Sequence, residues 1–583
     1  MTNYSNYLDC FTPNAIIESL CRERMAACRK AHEQEFFEQL LPSTHRKTQA
    51  SDLYMPPRSR WRRVHKNKRL KNAATQYTKD LIYTVMQLRE SPAPADKVWI
   101  DKQDELTLLV RNKALNESLT SFDPPRIFPI PKDKSQEYRV IASYSENLCD
   151  SIIIGQCAKY LRWVFDDYFL DCSFAFRFPK LGKPKTHHDA FEQLTKFWKD
   201  NQKNNHIQAY VAECDIQGFY DILNHEVIMD CYDAAVIELK QSGTDIDQRA
   251  RQIITAYLHS YSYNNYGRPK AFEELKAKGI ESPDIKDRDK TLEGFLTPGE
   301  DYGVPQGGAL SVFFANLVLH NADNAVMKII GEKSNSLYVR YCDDMLVATL
   351  EADKTKQALS TYIEELQKLK LKHHEPEEVG EYVDTATKRK FWATKTKSTY
   401  LWGDPALASA KPWLAFVGYQ LRYDGMVRVR PSSIKKELKK QSDTTNKFLI
   451  NIKKAKTIVR TKKYLLRSLE WRLRAGAIGK RLGNNLDEVG MDLSEFGWCN
   501  GFKNLTSCNL PESQLFVKTQ LRHLDRGLCK QIRIARGFLA QYSDPDPEPS
   551  SKKYSKTKDK LKFVGKPRSY VGQLEIRSGR NIA

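Results

Sequence analysis

The stretch SLYVRYCDDMLVAT, residues 336–349, decides how this chain is expected to fold. β-Branched, aromatic and other apolar residues lie on both sides of the acidic pair Asp343 and Asp344, which is typical of two strands that meet at a tight turn. Adjacent carboxylates at the tip of an apolar hairpin repel each other and lose water, so they are costly to bury unless a cation compensates their charge. The sequence therefore predicts a β-hairpin that carries two metal-binding aspartates, with a polar surface turn as the alternative.

A further carboxylate motif lies well before this hairpin in the chain. The run HIQAYVAECD, residues 206–215, has the composition of a strand and ends at Asp215. Two Mg²⁺ ions about 3.5–4 Å apart, held by carboxylates, activate an attacking hydroxyl and stabilise the leaving pyrophosphate in nucleotidyl transfer. We therefore expect Asp215, Asp343 and Asp344 to be the catalytic residues. The expected site for the two Mg²⁺ ions consists of these three aspartates and Ile216.

The charge balance of the 583-residue chain points to a polyanionic partner. Lysine and arginine total 93 against 72 acidic residues, a formal net charge of +21, and 41% hydrophobic residues are enough for packed domains. Phosphate backbones are the commonest partner for such an excess, although many basic proteins merely stay soluble through their charge. The 12 cysteines show no disulfide framework, and neither a signal peptide nor an apolar run long enough for a membrane span is apparent. These features predict a cytoplasmic protein without a membrane partner.

Two more features lie between the carboxylate motifs. Tyr220 follows Asp215 closely, where a bulky ring beneath the incoming sugar would exclude a 2′-hydroxyl and favour deoxynucleotides; a core position is the alternative. The segment GVPQGGALSVFFANLVLH, residues 303–320, has glycines that permit close approach of the backbone to a nucleotide or template, followed by a predicted helix. Tyr220, Gln306 and Gly307 are therefore expected nucleotide-binding residues.

Taken in order, these segments resemble the reverse-transcriptase family, especially its bacterial branch of group II intron proteins, retron enzymes and defence-associated relatives. DIQGFYDILNH (215–225) resembles the family's first catalytic motif, residues 303–320 its nucleotide- and template-contacting motif, and YCDD (341–344) its second carboxylate motif. The resemblance covers about residues 120–480. It implies an RNA-directed DNA polymerase that copies an RNA template into a DNA product from deoxynucleoside triphosphates.

The resemblance also implies roles for residues outside these motifs. RIFPIPKDKSQEYRVIAS (126–143) resembles strands whose basic residues grip the triphosphate, and LAFVGYQLRYDG (414–425) resembles the primer-grip hairpin. The motif whose lysine protonates pyrophosphate is split by an insertion before Lys395. The implied nucleotide-binding residues are Lys132, Arg139 and Lys395. The implied nucleic-acid-binding residues are Arg177, Gly418, Tyr419, Lys435, Lys436 and Lys439.

The expected fold class is α+β, as a right-hand polymerase of fingers, palm and thumb with an N-terminal helical extension and a helical C-terminal region. Segments of strand character from Pro124 onward and lysine-rich helical patterning after Pro431 motivate the division of the chain. The expected domains are an N-terminal basic helical extension (1–118), the fingers and palm (119–425), a helical basic thumb or C-terminal domain (426–540) and a flexible basic tail (541–583).

Some features depart from the bacterial patterns. The family's helix break usually reads QGxxxSP, whereas residues 306–312 read QGGALSV, and neither the VTG triplet of retron enzymes nor a His-Asn-His endonuclease pattern occurs. The chain thus resembles the stand-alone bacterial reverse transcriptases linked to phage defence. The alternatives are an RNA-dependent RNA polymerase, a catalytically silent RNA-binding protein on the same fold, and untemplated or protein-primed synthesis. The template, the primer, the oligomeric state and any need for a noncoding RNA or a neighbouring protein are left open.

Overall fold

The computed structural model of the protein describes residues 6–38, 53–57, 60–64, 73–116, 121–131, 138–177, 179–180, 184–280, 295–378, 385–407, 409–454, 461–477, 498–506, 511–544 and 569–577. The described α-helices are α1 (Tyr7–Cys10), α2 (Pro13–Glu38), α3 (Ala73–Glu90), α4 (Lys97–Leu115), α5 (Leu148–Phe165), α6 (His187–Asn201), α7 (Phe219–Ile222), α8 (His225–Gln241), α9 (Gln248–His259), α10 (Arg268–Ala277), α11 (Ser311–Ile330), α12 (Ala352–Lys368), α13 (Thr385–Ala393), α14 (Pro431–Lys454), α15 (Lys462–Ala475), α16 (Pro511–Leu539) and α17 (Tyr570–Arg577). The described strands are β1 (Arg126–Pro131), β2 (Tyr138–Ser143), β3 (Ala209–Cys214), β4 (Ser336–Tyr341), β5 (Asp344–Thr349), β6 (Lys397–Trp402), β7 (Trp413–Phe416), β8 (Tyr419–Arg422) and β9 (Val427–Val429).

An antiparallel sheet of four strands, in the order β4-β5-β3-β6, lies at the centre of the protein. The side chains of each strand point alternately into two hydrophobic cores, because successive side chains of a strand lie on opposite faces of the sheet. In β5, Met345 and Val347 lie in one core, whereas Leu346 and Ala348 lie in the other. Both faces of the sheet are therefore covered, which explains why the hairpin sequence reads as continuous apolar runs.

Helices cover each face of this sheet. On the face of Met345, the first core combines α5, α8, α9, α11 and α12 with the N-terminal helices α1 to α4. On the opposite face, the second core contains α6, strands β6 to β9 and parts of α14, α16 and α17. The N-terminal helices thus share a core with the sheet, and the domain boundary expected at residue 118 stays a prediction.

Smaller cores attach the remaining elements. The antiparallel β1–β2 hairpin packs through Ile127, Val140 and Ala142 on Tyr261 and Tyr263. A further core joins α14, α15 and α16 through Phe448, Ile452, Leu465, Leu469, Leu473, Leu528, Ala535 and Leu539. This mixture of helices and sheets agrees with the expected α+β class, whereas the layout of fingers, palm and thumb stays a prediction. Among the described helices, none combines the length and apolar character needed to cross a bilayer.

Candidate active site

The acidic hairpin predicted from residues 336–349 is present as β4 and β5. Tyr341 pairs with Asp344 across the hairpin, so Cys342 and Asp343 form its turn. Cys342 has a φ of +60°, which is uncommon for a residue with a side chain but typical of tight hairpin turns. Asp343 is half-buried, and Asp344 reaches solvent at the start of β5. The turn thus presents both carboxylates at one end of the central sheet.

Asp215 lies at the same end of the sheet as this turn. Strand β3 runs antiparallel to β5 with Cys214 opposite Met345, so Asp215 follows β3 where Asp344 begins β5. Burial raises the pKa of Asp343, and the negative charge of Asp215 raises it further. Although Asp344 is partly exposed, the protein packed around its carboxylate raises its pKa, and the charges of Asp343 and Asp215 raise it further. The three carboxylates therefore share one site, in which the charge of Asp215 opposes the ionisation of Asp343 and Asp344.

Two basic side chains contact the Asp215 carboxylate. Lys395 Nζ donates to Asp215 Oδ2 at 2.8 Å, and His374 Nε2 lies 3.3 Å from the same oxygen. Burial by itself would raise the pKa of Asp215, but the hydrogen bonds from His374 and Lys395 outweigh it and lower this pKa. Asp215 is therefore the carboxylate of this site that stays ionised most readily, and a bound cation would compete with these two side chains for it.

The backbone around Asp215 joins the two halves of the split lysine motif. The His374 amide donates to the Asp215 carbonyl oxygen at 3.0 Å, and the Asp215 amide donates to Thr396 Oγ1 at 3.1 Å. The structure thus brings the segment ending at His374 and the segment beginning at Lys395 to the same aspartate, although residues 375–394 separate them in the chain. Sequence reasoning missed His374, because no motif spacing survives the insertion.

The carboxylate site fits the expected Mg²⁺ ions in its chemistry. Mg²⁺ prefers oxygen ligands, and a divalent cation relieves the repulsion that raises the pKa of Asp343 and Asp344. The buried side chain of Ile216 is a hydrocarbon without a donor atom, so only the main-chain carbonyl oxygen of this residue could bind a metal. In the described part of the chain, no group of three or more His, Cys, Asp or Glu side chains is arranged so that it could hold a metal ion; Lys395 and His374 contact Asp215 instead.

A buried arginine holds the acidic turn from within the sheet. Arg340 Nη1 donates to the Cys342 carbonyl oxygen at 2.9 Å, while Nε and Nη2 donate to the two carboxylate oxygens of Asp323 at 2.8 and 2.6 Å. The side chains of Arg340 and Asp323 are 0% and 1% exposed, so α11 anchors the turn through a fully buried ion pair. Sequence reasoning missed this pair; the available signal was a charged residue inside an apolar strand, which must find a partner when buried.

Tyr220 packs against the same turn. Its hydroxyl lies 3.2 Å from Cys342 Sγ, and its half-buried ring meets Phe219 edge to face. Burial, followed by the nearby Cys342, raises the pKa of Tyr220 well above its usual value, so the hydroxyl stays protonated. The ring therefore borders the acidic turn, and its expected contact with the nucleotide stays a prediction.

The glycine-containing turn rests on the segment that follows Asp215. The Val304 amide donates to the Tyr220 carbonyl oxygen at 2.8 Å, and Gln306 Nε2 donates to Asp221 Oδ1 at 2.7 Å. Gly303 has a φ of +87°, and an added Cβ there would lie 2.9 Å from the Asp221 carbonyl oxygen, so this close approach requires glycine. Gly307 also has a φ of +87° but faces open space. Gln306 and Gly307 are thus connected to the carboxylate site through Tyr220 and Asp221.

Among the described residues, other expected binding residues belong to β2, to the turn between β7 and β8 and to α14. Arg139 is exposed on β2, and Lys132 lies outside the described residues. Gly418, with a φ of +92°, belongs to the turn between β7 and β8. Three exposed lysines follow on α14, namely Lys435, Lys436 and Lys439.

Two expected nucleic-acid-binding residues have structural partners instead. Arg177 is 3% exposed, and its guanidinium donates to the Asp166 carboxylate and to the carbonyl oxygens of Asp166, Leu170 and Ser173. Tyr419 is 5% exposed, and its hydroxyl lies 2.7 Å from His188 Nδ1. Both side chains are buried, so their contacts support the fold and give no support to a role at a nucleic-acid surface.

Comparisons with known proteins return only distant structural similarity. No protein-family model and no curated protein matches the chain. Apo telomerase from Candida Tropicalis is similar at 13% identity and a TM-score of 0.36, over 79% of this chain and 74% of the telomerase. Telomerase from Candida albicans with a fragment of telomeric RNA is similar at 12% identity and a TM-score of 0.34, over 81% and 78% of the two chains. Neither similarity assigns a family, and neither supports the narrower likeness to group II intron and retron enzymes.

Proposed function

We propose that this chain is an RNA-directed DNA polymerase that joins deoxynucleotides by two-metal nucleotidyl transfer. The observation that carries the proposal is the meeting of Asp215 with Asp343 and Asp344 at one end of the central sheet. The negative charge of Asp215 raises the pKa of Asp343 and of Asp344, and this crowding of carboxylates costs stability, which is typical of a functional site. Nucleotidyl transfer is the reaction that this donor set suits, since the sequence motifs around it resemble those of a template-copying polymerase.

The carboxylates and the Ile216 carbonyl oxygen would hold the ions. When bound, two Mg²⁺ ions lower the pKa of the primer 3′-hydroxyl and neutralise the leaving pyrophosphate. Arg340 and Asp323 keep the turn rigid, so that Asp343 does not have to be ordered during the reaction. The protein's main contribution is therefore positioning, which is also the main requirement for phosphoryl transfer.

Lys395 and His374 supply hydrogen-bond donors beside Asp215. Lys395 Nζ lies 2.8 Å from Asp215 Oδ2 and 3.1 Å from His374 Nε2. If Asp215 held a metal ion, Lys395 would donate a proton from its ammonium to the leaving pyrophosphate. Proton transfer from a positioned side chain typically accelerates such a step by roughly 10²–10⁴-fold.

Tyr220, Gln306 and Gly307 would select and seat the nucleotide. The Tyr220 ring borders the acidic turn, where it would exclude a ribose 2′-hydroxyl by its bulk. The open space at Gly307 leaves room for a nucleotide or a template base against the backbone. The net charge of +21 and the exposed lysines of α14 favour an RNA template and its DNA copy as partners.

Primer extension on a defined RNA template tests the proposal. Wild-type protein with Mg²⁺ should incorporate deoxynucleotides in template order, and Asp343→Asn should not. Preference for ribonucleotides over deoxynucleotides would favour an RNA-dependent RNA polymerase. A product whose nucleotide composition is the same with and without template would favour untemplated synthesis. RNA binding without any incorporation, by the wild type as by the variant, would leave a catalytically silent RNA-binding protein.

The sequence resemblance to stand-alone bacterial enzymes extends the proposal to phage defence in the cytoplasm. Plaque counts on cells that carry the wild-type gene or the Asp343→Asn variant test this extension. Protection that depends on Asp343 supports it, and equal plaque counts on both strains would remove it while leaving the enzymatic proposal intact.

A further inference from the structure

A small polar cavity lies beside the glycine turn, between α2, α5 and the end of β2. Its volume is about 50 Å³, and Gly307 and Gly308 form part of its wall. Four hydroxyl groups and two basic side chains line it, namely Ser19, Ser143, Ser145, Ser151, Arg22 and Lys159. Because a cavity needs roughly 10–15 Å³ to hold one water, this space suits a small polar group and not a whole nucleoside.

A glycine in the wall keeps this cavity open. Gly155 lies within α5, where glycine costs roughly 0.5–1 kcal/mol relative to alanine. A Cβ added at Gly155 would meet nothing within 4 Å, so close packing does not explain the glycine. The empty space in front of Gly155 belongs to the cavity, which gives this position a reason for having no side chain.

Lys159 and Arg22 bring two cationic side chains to the cavity, and the Arg22 guanidinium also lies 3.5 Å from Glu18 Oε2. Lys159 Nζ donates to Gln156 Oε1 at 2.8 Å and to Ser19 Oγ at 3.2 Å, which places the ammonium between α5 and α2. Burial, followed by the positive charges of Arg22 and Arg162, lowers the pKa of Lys159 to about 7. Glu23 also lines the cavity and opposes this effect only in part. An anion in the cavity would restore the charge of the amine.

We propose that this cavity binds a phosphate group, held by the Lys159 ammonium, the Arg22 guanidinium and the surrounding serine hydroxyls. Hydroxyl and cationic N–H donors are the groups that phosphate oxygens accept from most strongly. Resting on the proposed function, the adjacent Gly307 and Gln306 make a phosphodiester of the template strand the ligand that the site meets during synthesis. A free phosphate or nucleotide phosphate offers the same chemistry and is the other source.

Two variants test the cavity from different sides. Gly155→Leu fills the cavity without removing any of its polar groups, and Lys159→Met removes the ammonium while keeping most of the side-chain length. The matched control is Lys199→Met, which removes one positive charge from an exposed position on α6. Circular dichroism and thermal unfolding establish that each variant is folded before binding is measured.

The first probe is an RNA template annealed to a DNA primer, with a neutral methylphosphonate replacing one template phosphodiester at a time. One position of the neutral linkage should weaken binding to the wild type and to Lys199→Met about tenfold, as expected for one charge-assisted contact. The same linkage should have no effect on Gly155→Leu or Lys159→Met, which already lack the contact. That pattern would assign the cavity to the template strand.

The second probe is inorganic phosphate without nucleic acid. In the alternative outcome, phosphate raises the melting temperature of the wild type and of Lys199→Met but not of the cavity variants, while no position of the neutral linkage changes template binding. That pair of results would show that the cavity binds a free phosphate or a nucleotide phosphate. Insensitivity of the wild type to both probes overturns the proposal. Deoxynucleotide incorporation by the same wild-type preparation is scored separately, so that failure of the cavity and failure of the polymerase proposal are told apart.

Discussion

Replacing Arg340 by lysine tests how the acidic turn is held. The arginine contacts the Cys342 carbonyl oxygen with one nitrogen and both carboxylate oxygens of Asp323 with the other two. A lysine ammonium is a compact point charge, so it can keep the ion pair with Asp323 but cannot also reach the turn. Arg340→Lys should therefore release the turn while leaving the buried negative charge compensated.

The free energy of unfolding should fall by about 2–4 kcal/mol in Arg340→Lys, since losing a hydrogen bond from a charged donor costs roughly 1.5–3 kcal/mol and the remaining pair loses its two-oxygen geometry. Arg340→Met should cost more, roughly 3–5 kcal/mol, because Asp323 is left buried without a cation. Combining Arg340→Met with Asp323→Leu should recover part of this loss, as the pair is then replaced by apolar groups. Urea unfolding measures all three variants.

The rate of nucleotide incorporation should fall roughly 100-fold in Arg340→Lys if the turn shifts by about 1 Å. Single-turnover incorporation over a range of Mg²⁺ concentrations measures this effect, and the half-saturating concentration should rise because Asp343 is no longer positioned. Arg249→Lys is the control, since Arg249 makes the same two-oxygen contact with Asp247 at the start of α9. Wild-type incorporation and wild-type Mg²⁺ dependence in a folded Arg340→Lys would refute the reasoning.

Further variants address the carboxylates and the nucleotide. Asp343→Asn should lower incorporation by roughly 10²–10³-fold, the range seen when one group that stabilises transition-state charge is removed. Asp353→Asn, at an exposed position on α12, should not lower it. Comparable rates in the two variants would contradict the assignment. With a chelator present, the melting temperature of Asp344→Asn should equal that of the wild type at about pH 4 and exceed it at about pH 8. Because the pKa of Asp344 is raised in the folded protein, its contribution to stability is present while it is protonated and is lost as the pH rises. A difference in melting temperature between variant and wild type that does not change with pH would count against this account. Tyr220→Ala should admit ribonucleotides at least about tenfold better while Tyr220→Phe, which keeps the ring, should not; equal discrimination by both would remove the steric role.

The sequence alone was sufficient for features that depend on neighbouring residues. The strand–turn–strand pattern of residues 336–349, the strand that ends at Asp215 and the helix after the glycine turn are all present as predicted. Such elements can be predicted because side-chain periodicity and turn chemistry act over a few residues. The meeting of Asp215 with Asp343 and Asp344 was also expected, first because two metal ions need several carboxylates and then from the resemblance of the motifs to a known family.

The tertiary structure decided which side chains surround these carboxylates. His374 and Lys395 reach Asp215 across an insertion, and Arg340 finds its partner Asp323 on a helix that precedes it in the chain. Arg177 and Tyr419, whose sequence context suggested a binding surface, are buried instead. A residue's type and spacing specify what it can bond to, but contacts between distant segments follow from packing of whole elements around shared cores. That packing determines which basic and polar groups form contacts that stabilise the fold and which remain at the carboxylate site.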